Sequence, residues 1–101
     1  MADDLNLSAF AGQLQTKFQM RLDPESALEL ELIQVEEHRA TEQAESFSLL
    51  FRAPAGAPPV QRIYRLEHER LGELDLFLVP VARDGQGLYY EAVFNRVRPA
   101  Q

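Results

Sequence analysis

Imidazole is the side chain that moves protons near neutral pH, and this sequence carries two, His38 and His68. His38 ends the run Glu36-Glu37-His38, which offers oxygen and nitrogen donors to a cation. Neighbours on a strand or loop point in different directions, and the spacing places no third ligand, so the run reads as a solvated acidic turn. His68 lies in Glu67-His68-Glu69, where either carboxylate could hold the ring as an acid–base couple. That segment lacks a nucleophile, so His68 is expected to cap a turn or pair with a carboxylate at the surface. Glu29 and Glu31 fall on one face of a strand with Cα atoms roughly 6.6 Å apart. Glycosidic chemistry needs carboxyls on opposite walls of a cleft, so this pair is expected to face solvent.

Gln61-Arg-Ile-Tyr-Arg65 interleaves aromatic and basic residues, as single-stranded nucleic-acid platforms do. Arg62 and Arg65 fall on opposite faces of a strand, so they form no single basic track. Cross-strand pairing with Glu73 or Asp75 is the expected use of these arginines. The sequence has no G-x-S-x-G, P-loop, dinucleotide fingerprint, H-E-x-x-H or EF-hand loop. No catalytic residue, metal ligand or cofactor site is therefore assigned.

The bulk properties point the same way. Cysteine is absent, which excludes disulfides, thiolate nucleophiles and cysteine-based zinc or iron–sulfur sites. A net charge of −6 argues against a partner whose phosphates must be neutralised. The N-terminus carries Asp3 and Asp4 where an export signal would be basic, and no apolar core follows, so a cytoplasmic location is expected. The longest apolar run, Leu76 to Val81, is far short of the roughly 20 residues that span a bilayer, so no membrane partner is expected. With 101 residues, 46% of them hydrophobic, residues 1–101 are expected to form one domain around one core.

Ser8, with Gln13 in capping range, predicts a short helix over Ser8 to Gln15 that Gly12 weakens. From Thr16 the period becomes two: Phe18, Met20 and Leu22 alternate with polar residues until Asp23-Pro24. Leu28, Leu30 and Leu32 continue the pattern, and its parity switches at Ile33 and Val35, as a β-bulge requires. Glu36 to Glu45 has no large apolar residue and reads as a solvated loop or the exposed end of a long ribbon, without a core role. Phe47, Leu49 and Phe51 define a third strand, with Leu50 on its other face. The proline-rich Ala53 to Pro59 follows as a stiff connector.

Three strands complete the chain, at about Gln61 to Glu67, Glu73 to Val81 and Leu88 to Val97. Gly72 is the expected positive-φ residue of the turn after His68, and Arg83 to Gly87 forms the next turn. In the fifth strand Leu74, Leu76 and Leu78 share one face while Phe77, Val79 and Val81 share the other. Apolar residues on both faces predict a strand buried on both sides, and Pro80 argues for an edge or a bulge. The expectation is an all-β fold: about six antiparallel strands in a small barrel or strongly curved sheet, with the short N-terminal helix over an open end.

Four segments in this order, Phe47-Ser-Leu-Leu-Phe-Arg52, Gln61-Arg-Ile-Tyr-Arg-Leu-Glu-His68, Leu71-Gly-Glu-Leu-Asp-Leu-Phe-Leu-Val-Pro-Val81 and Tyr90-Glu-Ala-Val-Phe-Asn95, resemble a family of small bacterial domains of unknown function. The resemblance runs from Phe10 to Asn95, and the Leu71 to Val81 string is its most specific part. It implies that Glu67-His68 belongs to a family pattern. It also implies glycine near Gln15 and at Arg62 in relatives, so the backbone is expected to differ at those two places. The resemblance further implies a place beside proteins with phage tail-collar or tail-fibre domains, and with it an accessory or structural role rather than catalysis.

The functional expectation is a non-enzymatic structural or protein-interaction domain that contacts another protein or itself. Leu50, Tyr89 and one face of the fifth strand are apolar or aromatic in excess of one core, and Tyr64, Glu67 and His68 could form a polar group at a barrel mouth. Because an exposed stripe of Phe77, Val79 and Val81 would be an aggregation liability, Phe77 is expected to be buried. The loops and the outer face of the third strand around Leu50 are then the expected place for a partner. These six are the interaction candidates. The alternative is small-molecule or metal binding at that mouth.

Overall fold

The computed structural model describes residues 7–41 and 44–97. Helix α1 (Leu7–Ala11) precedes strands β1 (Lys17–Asp23), β2 (Ser26–Ala40), β3 (Ala44–Ala53), β4 (Arg62–His68), β5 (Gly72–Asp84) and β6 (Gly87–Val97). The strands close into one antiparallel ring in the order β1-β2-β3-β6-β5-β4. Asp3 and Asp4, and residues 42 and 43 of the polar stretch, lie outside the described residues. No helix among the described residues is long and apolar enough to cross a membrane.

Period two sorts the side chains. Phe18 and Met20, Leu30 and Leu32, Phe47, Leu49 and Phe51, Tyr64 and Leu66, Leu74, Leu76 and Leu78, and Tyr90 and Ala92 all point into the ring and are buried. The bulge expected at Ile33 is present: pairing between β2 and β3 shifts between Leu32 and Gln34. Pro80 sits at a second shift, between Pro80 and Ala82 on β5, where its missing N–H interrupts no regular ladder. Asp23 closes the β1–β2 turn by accepting from the Glu25 amide and the Ser26 hydroxyl, both at 2.9 Å. Gly72, opposite His68, adopts φ 79°, the left-handed conformation its turn needs.

Three expectations change. The helix stops at Ala11, and Ser8 lies within it rather than capping it, because Gly12 is followed by a tight turn ending on Gln15 at φ 66°. The backbone at Gln15 thus takes the left-handed conformation that glycine favours. Residues 36–40 are strand, the ribbon end that is one of the two expectations for this stretch, and only the absence of a core role changes. Glu45, paired with Ala40, is buried, and its Oε2 accepts from the Leu7 amide at 3.4 Å. The stretch therefore does contribute to the interior. Finally, β5 is buried on one face only: Phe77 is 52% and Val81 50% exposed, because closure of the ring leaves a single inside.

Each end of β3 carries a closing device. At its start Phe47 stacks on Phe94 of β6 with 4.8 Å between ring centroids, and Phe10 of α1 covers both at 6.1 and 5.3 Å. Beyond its other end the Pro-rich connector is tied down. The Tyr64 hydroxyl donates to the Val60 carbonyl at 2.7 Å, the Tyr90 hydroxyl donates to the Pro58 carbonyl, and Ala57 is buried.

Candidate functional site

Two features lie on this frame: a hollow beside the junction of β1 and β4, and an apolar stripe outside β4, β5 and β6. The hollow, of about 520 Å³, is lined by Gln13, Thr16, Lys17, Gln19, Glu67, His68, Glu69 and Arg70. It sits where the ring is least tightly closed, since β1 and β4 pair only at Gln19↔Glu67 and Met20↔Leu66.

His68, 6% exposed, fills the floor of that junction. Its Nδ1 accepts the backbone amides of Arg70 at 3.0 Å and Leu71 at 3.1 Å, which caps the β4–β5 turn. Its Nε2 lies 2.8 Å from Thr16 Oγ1, and that hydroxyl donates to the Gln13 carbonyl at 2.7 Å. Because Nδ1 receives two hydrogens, the ring proton is on Nε2 and the imidazole is neutral. Burial, including the Phe18 ring at 4.3 Å, holds its pKa below the usual histidine value; Glu69 opposes the shift and Arg70 adds to it. The expectation of a turn cap is met. Glu67, which also borders the hollow, pairs with Arg21 at 3.3 Å.

The outer wall is divided by chemistry. Across β1, β2 and β3, Glu31 accepts from Arg52 at 2.7 Å and pairs with Lys17 at 3.6 Å, while Glu29 lies beside it at a shallow surface hollow. On β4 and β5, Arg65 grips Asp75 at 2.6 Å and Glu73 at 3.3 Å, the pairing its spacing predicts. This contact lowers the Asp75 pKa. Arg62 instead lays its guanidinium 5.1 Å over the Tyr64 ring. Next to these ions the surface becomes apolar. Ile63 is 64% exposed directly across from Phe77, and Val93 on β6 is 58% exposed. Two residues along β5 from Phe77, Val79 lies across from Glu91, which in turn lies across from Leu50 on β3.

The six candidates separate accordingly. Phe77 belongs to the outer apolar stripe, half-buried Leu50 lies apart from it on β3 across from Glu91, and Glu67 and His68 border the hollow. Tyr64 does not join them. It is 2% exposed, its hydroxyl is spent on Val60, and its ring meets Tyr90 edge-on at 5.8 Å. Tyr89 is likewise a local brace: its hydroxyl donates to Asp84 at 2.9 Å beside the β5–β6 turn, a contact that raises its pKa. Ile63 and Val93 are the contributors that sequence reasoning missed. The alternation around Tyr64 and Leu66, and around Tyr90 and Ala92, already placed both on the outer face. His38, read as part of an acidic turn, lies on β2 with Nε2 3.0 Å from Ser48 Oγ. Among the described residues no three His, Asp or Glu side chains come together as a cation site.

A family model described as a domain of unknown function, DUF6916, matches residues 5–94. The chain belongs to that family. The match takes in every strand that builds the ring, the His68 junction and the outer stripe, so the DUF6916 unit and the ring coincide apart from the last residues of β6. No curated protein and no solved structure matches the chain significantly.

Proposed function

We propose that this DUF6916 domain is a non-enzymatic protein-interaction module, a component of a multi-protein assembly, and that it binds through the outer face of β4, β5 and β6. The observation that carries the reading is the exposed apolar pair Ile63 and Phe77, which lie directly across from each other on β4 and β5 beside the Arg65 ion pairs. Ile63, Phe77 and Val93 of β6 are each more than half exposed. Clustered large apolar side chains on a soluble ring are an aggregation liability unless a partner covers them. His68, the group best suited to proton transfer, has both ring nitrogens engaged within the fold, which favours binding over catalysis. A phage-tail-like assembly is the setting that the family resemblance suggests.

The test is light scattering after size-exclusion chromatography, with wild type and Phe77→Asp compared at matched concentration, alone and with proteins encoded beside it. Wild type is expected to associate with itself or a neighbour, and Phe77→Asp to remain a folded monomer. Association that persists unchanged in Phe77→Asp and in Ile63→Asp would overturn the reading.

The hollow beside His68 supports a second reading, ligand binding at that junction. A thermal-shift screen with metabolites and divalent cations near 1 mM separates it from the first, because a ligand held at that concentration raises the midpoint of the wild type.

A further inference from the structure

The β1–β4 junction is the short side of the ring, with pairing at Gln19↔Glu67 and Met20↔Leu66 only. Two side-chain contacts reinforce it: Arg21 with Glu67, and His68 with Thr16. The second is chemically conditional. Nδ1 of His68 accepts from two backbone amides, and Nε2 donates to Thr16, whose own proton goes on to the Gln13 carbonyl. This chain has one proton arrangement, and it requires a neutral ring. A second proton on Nδ1 would face two N–H groups, losing both bonds and replacing them with donor–donor contacts.

We propose that His68 is a proton-operated latch: its imidazolium cannot hold the β4–β5 turn and Thr16 together, so acidification frees the turn from the start of β1 and widens the hollow between them. The charged groups around the ring are Glu67 on β4, Glu69 and Arg70 in the turn, and Lys17 on β1. Glu67 is engaged with Arg21, Lys17 with Glu31, and Glu73 of β5, opposite Glu67, with Arg65. That leaves Glu69 to favour the imidazolium and Arg70 to oppose it. The sign follows from linkage. The ring binds its proton less readily folded than unfolded, so the latch is intact above about pH 6.5 and is lost as pH falls through the depressed native value.

Hydrogen exchange read by NMR tests this at single amides. Between about pH 7.5 and pH 5, protection at the Arg70 and Leu71 amides, corrected for intrinsic exchange, is expected to fall by up to about tenfold in wild type. In His68→Asn the side-chain carbonyl can still accept from amides two and three residues on, without titrating, and the same ratio should stay flat. Ring ¹⁵N shifts of the wild type give an independent reading and should place the proton on Nε2 at about pH 7.5. Constant protection in wild type, a parallel fall in His68→Asn, or a proton on Nδ1 at neutral pH would each overturn the latch. If His68→Asn does not fold, the two wild-type measurements decide.

Discussion

Leu76 and Phe77 are neighbours on β5 with opposite surroundings, and an aspartate at each measures how completely the ring separates inside from outside. Leu76 is 5% exposed among apolar side chains, and Phe77 is 52% exposed across from Ile63. Leu76→Asp gives up about 2 kcal/mol of apolar burial and adds several kcal/mol for desolvating a carboxylate with no cation beside it. Together these reach the lower end of the 5–15 kcal/mol that typically holds a domain folded, so the variant is expected to be unfolded at 25 °C. At Phe77 about half of the side chain is already in water, and the same substitution costs about 1 kcal/mol, or roughly 4–8 °C of melting temperature. Thermal melts by circular dichroism, with amide dispersion by NMR to establish tertiary packing, distinguish the two. A Leu76→Asp protein melting within a few degrees of wild type, or a Phe77→Asp protein without a folding transition, would refute the assignment of β5 faces.

Three further outcomes follow from local geometry. At Gly87, φ is 147° and an added Cβ would sit 2.1 Å from the Ala53 carbonyl oxygen, so Gly87→Ala must shift backbone at the β3–β6 ladder and should cost about 2 kcal/mol or more in urea unfolding. Gln15 holds φ 66° with a β-carbon, and Gln15→Gly is expected to gain about 0.5–1 kcal/mol in the same assay, the reverse of the usual glycine penalty. Tyr90→Phe removes the hydroxyl that holds Pro58 and should lose about 1 kcal/mol, with faster protease cleavage within residues 53–60.

The strands were legible because their signal is local. Phe18 with Met20, the Phe47-Leu49-Phe51 triplet and the parity switch at Ile33 each encode side-chain direction within a few residues, and all emerge as read. Which face of β5 is inside was not local: Leu74, Leu76 and Leu78 are no more apolar than Phe77, Val79 and Val81, and only ring closure and the shift at Pro80 choose between them. The helix was overextended because Gly12 and the φ of Gln15 end it, while composition alone allowed it to continue.

At the candidate site the same division applies. The capping role of His68 reaches residues two and three positions away and could be anticipated, whereas its Thr16 partner is 52 positions distant and the hollow they share exists only in the folded ring. Tyr64 was misplaced for a similar reason. Its hydroxyl turns back to Val60, so a residue type suited to a binding mouth serves to hold the connector.

The claim that the β4–β5–β6 outer face binds protein is tested most directly by contact at a chosen side chain. The chain has no cysteine, so Phe77→Cys or Glu29→Cys gives a single attachment point for a short photo-crosslinker. The account predicts a crosslinked product of one defined mass from position 77, competed away by excess unlabelled wild type and not by unlabelled Phe77→Asp, with little or none from position 29 on the ion-paired wall. Equal yields from the two positions, or a product at 77 that Phe77→Asp competes as well as wild type does, would contradict it.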